Sequence, residues 1–181
     1  MANTSHLELT RENVIKWAHE YDLKASQQDK AVEKEMKDKL RTQRFLTRDD
    51  LVKVGMWKSP RPKKQYESND DDVVRELTTF SFAARTEGAR IGALYALQGV
   101  SYPVASVILH FAFPESYPIL DFRALAALGE SQPKSYNLKA WLSYCERLRG
   151  IAKNLDLPLR VVDKALWQFS NEKTEPPASH S

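Results

Sequence analysis

Cysteine is nearly absent from this 181-residue chain, in which Cys145 is the only one. A single cysteine excludes an internal disulfide, a cysteine-based zinc site and a four-cysteine iron–sulfur cluster. Long apolar runs are lacking too, and no stretch reaches the roughly 20 residues that span a bilayer. The segment 1–9 is polar and has no apolar secretory region, so we predict a cytoplasmic protein without a membrane partner.

The chain also lacks strand-like alternation, internal repeats, a nucleotide-binding glycine loop, a metal-ligand cluster and a Ser/His nucleophile pair. What it does contain is apolar residues at helical spacing. Its hydrophobic content of 42% and its four tryptophans are enough for a globular core. We therefore predict one all-α domain over 10–170, with disordered tails at 1–9 and 171–181.

Helix boundaries are predicted from caps and prolines. Thr47 and Asp50 are spaced as a capping box in which Asp replaces the usual Glu. Pro60 and Pro62 end that helix, and a polar, basic loop is predicted to run to about Ser68. The predicted helices begin near Thr10, Lys30, Thr47, Asn69, Glu87, Pro103, Asp121, Leu138 and Pro158.

Charge is distributed unevenly. Between Lys30 and Lys64 the chain carries twelve Lys or Arg against five Asp or Glu, a stretch that we call the basic segment. An acidic cluster at 67–72 follows it. A concentration of positive charge favours a surface that faces a polyanion, although a solvated helix face explains the same pattern.

The most informative stretch runs from Leu94 to Gly129. Two short helices are joined by a turn that contains Gly99 and Val100, and a carboxylate follows after a proline-containing loop. Glycine permits positive φ and close approach of the backbone to a ligand. The amides of such a turn and of the next helix start are suited to bind an anion.

These residues resemble a known family. Leu-Gln-Gly-Val-Ser-Tyr-Pro-Val-Ala-Ser at 97–106, Phe-Pro at 113–114 and Tyr-Pro-Ile-Leu-Asp at 117–121 are similar to the helix-hairpin-helix and Gly/Pro-Asp motifs of the base-excision DNA glycosylases. The last string is especially similar to the adenine-mismatch branch. The resemblance covers about 36 residues, a fifth of the chain. It implies two helical layers that flank a base pocket.

In this family the residue that corresponds to Asp121 is catalytic. Cleavage of an N-glycosidic bond passes through an oxocarbenium-like sugar, which a carboxylate near C1′ stabilises. The resemblance thus implies a glycosylase that flips a modified or mismatched base from double-stranded DNA and leaves an abasic site. Asp121 is also well placed as a simple helix N-cap, and the two roles are compatible.

Two departures from the family pattern bear on activity. Pro103 stands where bifunctional members carry a lysine, so we predict a monofunctional enzyme without lysine-dependent lyase activity. Ser101 replaces the usual second glycine of the hairpin. The resemblance further implies that a Na⁺ or K⁺ ion binds turn carbonyls of the hairpin at 97–102, and we expect no other cofactor.

Other residues are candidates for DNA contact or for packing. Trp57 and Tyr117 are candidates for the base pocket, with a core position as the alternative for each. Trp141, Tyr144, Trp167 and His110 have the spacing of core residues, whereas Arg123 is open between pairing and solvation. The predicted DNA contacts are Gly99, Val100, Ser101 and Tyr102 in the hairpin and Lys58, Arg61, Lys63 and Lys64 in the basic segment.

The sequence leaves two other classes of function open. One is a non-catalytic helix-hairpin-helix module that binds DNA, and the other is a helical protein-interaction domain. The target base is open as well, and with it the choice between repair and defence against modified phage DNA. We expect a monomer, associated with the nucleoid if the protein is bacterial.

Overall fold

A computed structural model describes residues 6–173, and every regular element within them is an α-helix. The prediction of an all-α protein is therefore confirmed. In the described part of the chain the helices are α1 (Arg11–Lys24), α2 (Gln27–Thr42), α3 (Arg48–Lys58), α4 (Lys63–Glu67), α5 (Asp71–Ala83), α6 (Glu87–Tyr95), α7 (Tyr102–Ala112), α8 (Phe122–Ala127), α9 (Leu138–Leu155) and α10 (Leu159–Lys173).

Local capping determines where most of these helices begin. The predicted capping box is confirmed, because Thr47 Oγ1 accepts from the Asp50 amide and the Asp50 carboxylate accepts from the Thr47 amide. Thr10 caps α1 by accepting from the Asn13 amide. At α5, which was predicted to begin near Asn69, the cap is Asp70, and the buried side chain of Asn69 binds elsewhere.

The structure differs from the predicted helix boundaries at three places. Lys63–Glu67 forms the short helix α4 where a loop was predicted, with Pro62 at its N-cap position. Leu7 is buried and its amide donates to the Ala127 carbonyl, so the ordered part begins before residue 10. At the other end α10 continues to Lys173, beyond the predicted limit. The predicted tails at 1–5 and 174–181 lie outside the described residues.

The helices pack in two groups around α7, whose residues 104–111 are all buried. On one side α10 packs against α1, α8 and α9. On the other side α7 contacts α2, α3 and α6, while α5 packs on α6 and α4 on α3. The side chains of Trp141, Tyr66 and Phe111 are the largest that are fully buried. This packing leaves a pocket between the two groups.

Three of the predicted core residues are buried, as expected. Trp141 and Tyr144 are buried. His110 is fully buried too, and burial lowers its pKa to about 3. The ring is therefore neutral, and its Nδ1 donates to the Tyr117 carbonyl at 2.8 Å. Its Nε2 has no hydrogen-bond partner among the described residues, so only one ring nitrogen is satisfied.

Candidate functional site

A pocket of about 430 Å³ opens between the two groups of helices. Its size lies within the range of small-molecule sites. The α1–α2 junction and the end of α3 form one wall, and the start of α8 and one face of α10 form the other. The lining residues are Tyr21, Lys24, Ala25, Ser26, Asp29, Trp57, Lys58, Ile119, Asp121, Ala124, Arg160, Asp163, Trp167, Gln168 and Asn171.

Asp121 lies in this pocket with both carboxylate oxygens engaged. Oδ1 accepts from the Arg123 amide at 2.8 Å, as expected of the N-cap of α8. Oδ2 lies 2.5 Å from Nζ of Lys58, and the two side chains are only 14% and 10% exposed. The helix start and the ammonium group complement the negative charge. The carboxylate is thereby fixed in position at the wall of the pocket.

The segment that leads to Asp121 is held by hydrogen bonds from three helices. The Ile119 amide donates to Asp163 of α10 at 3.0 Å, and the Ile119 carbonyl accepts from the Tyr144 hydroxyl of α9 at 2.9 Å. The Leu120 amide donates to Ser106 of α7 at 2.8 Å. Since extended backbone has no partners of its own, these bonds satisfy it and prevent Asp121 from drifting.

The same contacts bring Asp121 close to the hairpin. Ser106 lies only one helical turn after Tyr102, the first residue of α7. The chain therefore doubles back after α7, and Asp121 returns towards the N-terminal end of that helix. Leu120, the residue before Asp121, thus contacts the helix that follows the hairpin.

The hairpin itself, residues 96–101 between α6 and α7, has the expected backbone. Gly99 adopts φ of +82°, and Val100 is buried beneath the turn. Asn69 braces the turn from outside, since its side chain donates to the Gln98 carbonyl and accepts from the Gln98 amide. No side chain caps α7 at Ser101, so the first-turn amides of α7 keep their donor capacity.

The four candidate DNA-contacting cations have two different environments in the structure. Arg61, Lys63 and Lys64 are exposed, and the last two belong to α4. This helix packs against the hairpin, because a Cβ placed on Gly99 would lie 2.9 Å from the Tyr66 ring. Lys58 differs from the other three, since its ion pair with Asp121 holds it in the pocket instead of on the surface.

The two aromatic candidates for the base pocket, Trp57 and Tyr117, also have different environments. Trp57 lines the pocket, where its Nε1 donates to the Asp29 carbonyl and its ring meets Phe111 edge-on. Tyr117 does not line this pocket and has the core position that the sequence left open as its alternative. It is buried among core residues and its ring stacks on Trp141. Burial and a hydrogen bond to Glu87 raise the pKa of its hydroxyl.

Trp167 was expected in the core but lines the pocket. The guanidinium of Arg123 lies 5.6 Å from the centre of its ring and 5.2 Å from the centre of the Phe122 ring. Tyr102, the hairpin aromatic, is half-buried against Tyr95. The aromatic residues that line the pocket are Tyr21 of α1, Trp57 of α3 and Trp167 of α10.

Arg160 and Asp163 of α10 are pocket residues that sequence reasoning missed. The Arg160 guanidinium forms two hydrogen bonds to the carboxylate of Glu33, at 2.9 and 2.7 Å. Asp163 is buried, and burial raises its pKa to about 7. A spacing of three residues between two charged side chains in the first turns of α10 was the available signal, because it places both on one face.

Few features of the structure bear on the predicted ion site or on a membrane span. In the described part of the chain no group of His, Cys, Asp or Glu is arranged to hold a metal. Two hairpin carbonyls, of Leu97 and Gln98, already accept hydrogen bonds from protein groups. The proposed Na⁺ or K⁺ site stays a prediction. Among the described helices, none combines the length and apolar character that a membrane span requires.

Comparison of the chain with protein-family models, with curated proteins and with solved structures finds no match in any of the three. The assignment of a function therefore depends on the site.

Proposed function

We propose that the protein is a monofunctional DNA glycosylase with a helix-hairpin-helix glycosylase fold, in which Asp121 is the catalytic carboxylate. The observation that carries the proposal is the position of Asp121. Its carboxylate is fixed at the wall of a pocket bordered by aromatic rings, and the residue before it contacts the helix that follows the hairpin. A base flipped from duplex DNA would enter the pocket, and its sugar would remain at the carboxylate.

The chemistry required of Asp121 is electrostatic. As the N-glycosidic bond lengthens, positive charge develops on C1′ and the ring oxygen of the sugar. A pre-positioned carboxylate stabilises that charge without having to reorganise, and it can orient a water molecule towards C1′. Lys58 moderates the charge of the carboxylate and keeps it in place. The products are a free base and an abasic site.

Binding of the duplex is assigned to the hairpin and α4. The amides at the start of α7 would bind a phosphate of the damaged strand. Lys63 and Lys64 belong to α4, which packs on Gly99 of the hairpin, and Arg61 lies just before that helix. Trp57 and Trp167 offer faces on which an extruded base can stack.

A non-catalytic DNA-binding module is the second candidate. One observation favours it: both oxygens of Asp121 already have protein partners, as they would in a purely structural cap. The two functions differ in the outcome of one substitution. A structural cap tolerates asparagine, which preserves the bond to the Arg123 amide, whereas catalysis requires the negative charge.

The first experiment is base release from duplexes that carry single deaminated, oxidised, alkylated or bulky modified bases, with alkali used to reveal abasic sites. We expect the wild type to release at least one of them. Asp121→Asn should lower the rate by about 100-fold or more, since it removes an electrostatic catalytic group. Its affinity for duplex DNA should stay close to that of the wild type, whereas its unfolding temperature should fall, because Lys58 loses the partner of a largely buried ion pair. Equal rates for the two proteins would leave only the binding module.

We propose that base excision serves repair or defence against modified phage DNA, and that the protein is a monomer in the cytoplasm. Pro103 stands where bifunctional glycosylases carry a lysine. We therefore propose that water, and not an amine, displaces the base.

A further inference from the structure

One wall of the pocket is a single face of α10. Arg160, Asp163 and Trp167 follow one another at intervals of three and four residues, so their side chains project in one direction. Most polar groups of the pocket have partners within the protein. On this wall two atoms of charged side chains have no hydrogen-bond partner among the described residues.

The first is an acceptor, Oδ1 of Asp163. The carboxyl group is buried at the pocket wall, and its Oδ2 accepts from the Ile119 amide. Oδ1 is shielded from solvent and has no hydrogen-bond partner among the described residues. A buried carboxyl oxygen without a donor is costly, and such atoms call for an explanation. A donor on a bound ligand is the explanation that the pocket itself offers.

The second atom is a donor, Nη1 of Arg160. The other guanidinium nitrogens are used, because Nε and Nη2 donate to Glu33 and Nη2 also reaches the Tyr21 hydroxyl. Nη1 makes no hydrogen bond to any described residue, and it is not one of the atoms shielded from solvent. Asp163 thus has an acceptor without a donor and Arg160 a donor without an acceptor, and the two side chains lie one helical turn apart on this wall.

We propose that this wall recognises a lactam edge, a ring N–H beside a carbonyl oxygen, with Asp163 as the residue that determines specificity. The proposal rests on the function proposed above and names its substrate class. Bases of this class include uracil and hypoxanthine, the deamination products, in which the N–H faces Asp163 and the carbonyl faces Arg160. Trp57 and Trp167 then stack on the ring without selecting its edge.

Charge argues for a neutral base. The pocket is lined by three cations (Lys24, Lys58, Arg160) and three carboxyl groups (Asp29, Asp121, Asp163), so it offers no net attraction to a cationic, alkylated base. Burial raises the pKa of Asp163 to about 7, against the opposing effect of Arg160 and Lys58. The carboxylate form that accepts an N–H is therefore available near neutral pH.

The test compares bases that differ only at this edge. Duplexes would carry deoxyuridine or deoxyinosine, their N-methylated counterparts in which the ring N–H is blocked, or mismatched deoxyadenosine. Both excision and equilibrium binding would be measured, the latter with 2′-fluorinated nucleotides that resist cleavage. We expect the lactam bases to be preferred, and the methyl group to remove the preference.

Asp163→Asn is the informative variant. Its amide oxygen can still accept from the Ile119 amide, while an NH₂ group replaces the free Oδ1, so that a donor stands where an acceptor was. We expect a loss of about 100-fold or more in kcat/KM for the lactam bases, because an unpaired donor then faces their N–H. The matched control is Asp22→Asn, at which a surface carboxylate on α1 pairs with Lys164 of α10 outside the pocket. It should behave as the wild type does.

The outcomes separate this proposal from the function on which it rests. If no duplex yields an abasic site but the fluorinated lactam duplexes bind better than the methylated ones in an Asp163-dependent manner, recognition stands and hydrolysis is wrong. If bases are excised without regard to N-methylation, or if Asp163→Asn leaves the selectivity unchanged, hydrolysis stands and the proposed recognition is overturned. If the protein neither excises nor discriminates, both are overturned.

Discussion

At the scale of single residues, the pair of Lys58 and Asp121 has the greatest consequence. A lysine so close to the proposed catalytic carboxylate is the amine that would reach C1′ if any does. Its ion pair instead gives it a charge-balancing role, since a protonated amine is not a nucleophile. Whether the protein acts through water or through an amine therefore depends on this one side chain.

We expect wild-type protein to leave abasic sites uncut until alkali or heat is added, and to form no covalent complex with substrate DNA in the presence of borohydride. The reason is that Pro103 supplies no amine at the hairpin and Lys58 is held by Asp121. Denaturing gels would detect both strand cleavage and a trapped complex. A trapped complex that disappears in Lys58→Met would identify Lys58 as a nucleophile and would end the description as monofunctional.

At the scale of elements, α4 and the hairpin form one unit. The Tyr66 ring of α4 lies against both Gly55 of α3 and Gly99 of the hairpin. Asn69, just after α4, binds both the amide and the carbonyl of Gln98. A helix of five residues thus positions the turn that we assign to phosphate binding, and it carries two of the exposed lysines.

Gly99→Ala should destabilise the protein and weaken its binding to damaged and undamaged duplexes alike. Its positive φ disfavours any side chain, and the new Cβ would lie 2.9 Å from the Tyr66 ring. We expect a loss of more than about 1 kcal/mol in the free energy of unfolding. The control is Gly92→Ala in α6, where a Cβ meets nothing within 4 Å and alanine should stabilise the helix by about 0.5–1 kcal/mol. Thermal unfolding of the two variants should therefore shift in opposite directions.

Replacing Lys63 and Lys64 with alanine should weaken duplex binding and reduce its dependence on salt. Each lost phosphate contact lowers the slope of log affinity against log salt by about 0.9 on duplex DNA. The rate of base release at saturation should hardly change, because neither lysine lines the pocket. Lys139 and Lys153, two exposed lysines of α9, provide the matched double variant. If both double variants retain the wild-type slope, the α4 lysines face solvent.

At the scale of the whole molecule, two buried titratable groups couple the fold to pH in opposite directions. His110 has its pKa lowered to about 3 from 6.5, so its contribution to stability is complete above pH 6.5 and is lost as the pH falls towards 3. Asp163 has its pKa raised to about 7 from 3.8. Its folded form prefers the proton, and stability is therefore lost as the pH rises from about 4 through 7.

Asp163→Asn removes the second effect and keeps the first. We expect the variant to differ least from the wild type near pH 4, where the carboxyl group is protonated in the folded chain and only about half ionised in the unfolded chain. Its unfolding temperature should exceed that of the wild type increasingly up to about pH 8. Thermal unfolding at pH 4, 6 and 8 measures the difference. A difference that does not change with pH would mean that Asp163 is not the group that titrates.

The sequence by itself determined the features that depend on local interactions. Helix type follows from apolar spacing, and the capping box of Thr47 and Asp50 follows from contacts between residues three apart. The positive φ of Gly99 and the N-cap position of Asp121 are local in the same sense. Each of these was predictable because the interacting groups are neighbours along the chain.

Only the tertiary structure decided what lies around Asp121. Lys58 and Asp163 approach the segment that ends at Asp121 from α3 and α10, which are distant from it in sequence. Tyr117, by contrast, is only four residues from Asp121 and yet packs on Trp141 in the core. Helix packing fixes which face of each helix meets the pocket, and that choice depends on the fit of whole surfaces. No short stretch of sequence contains that information.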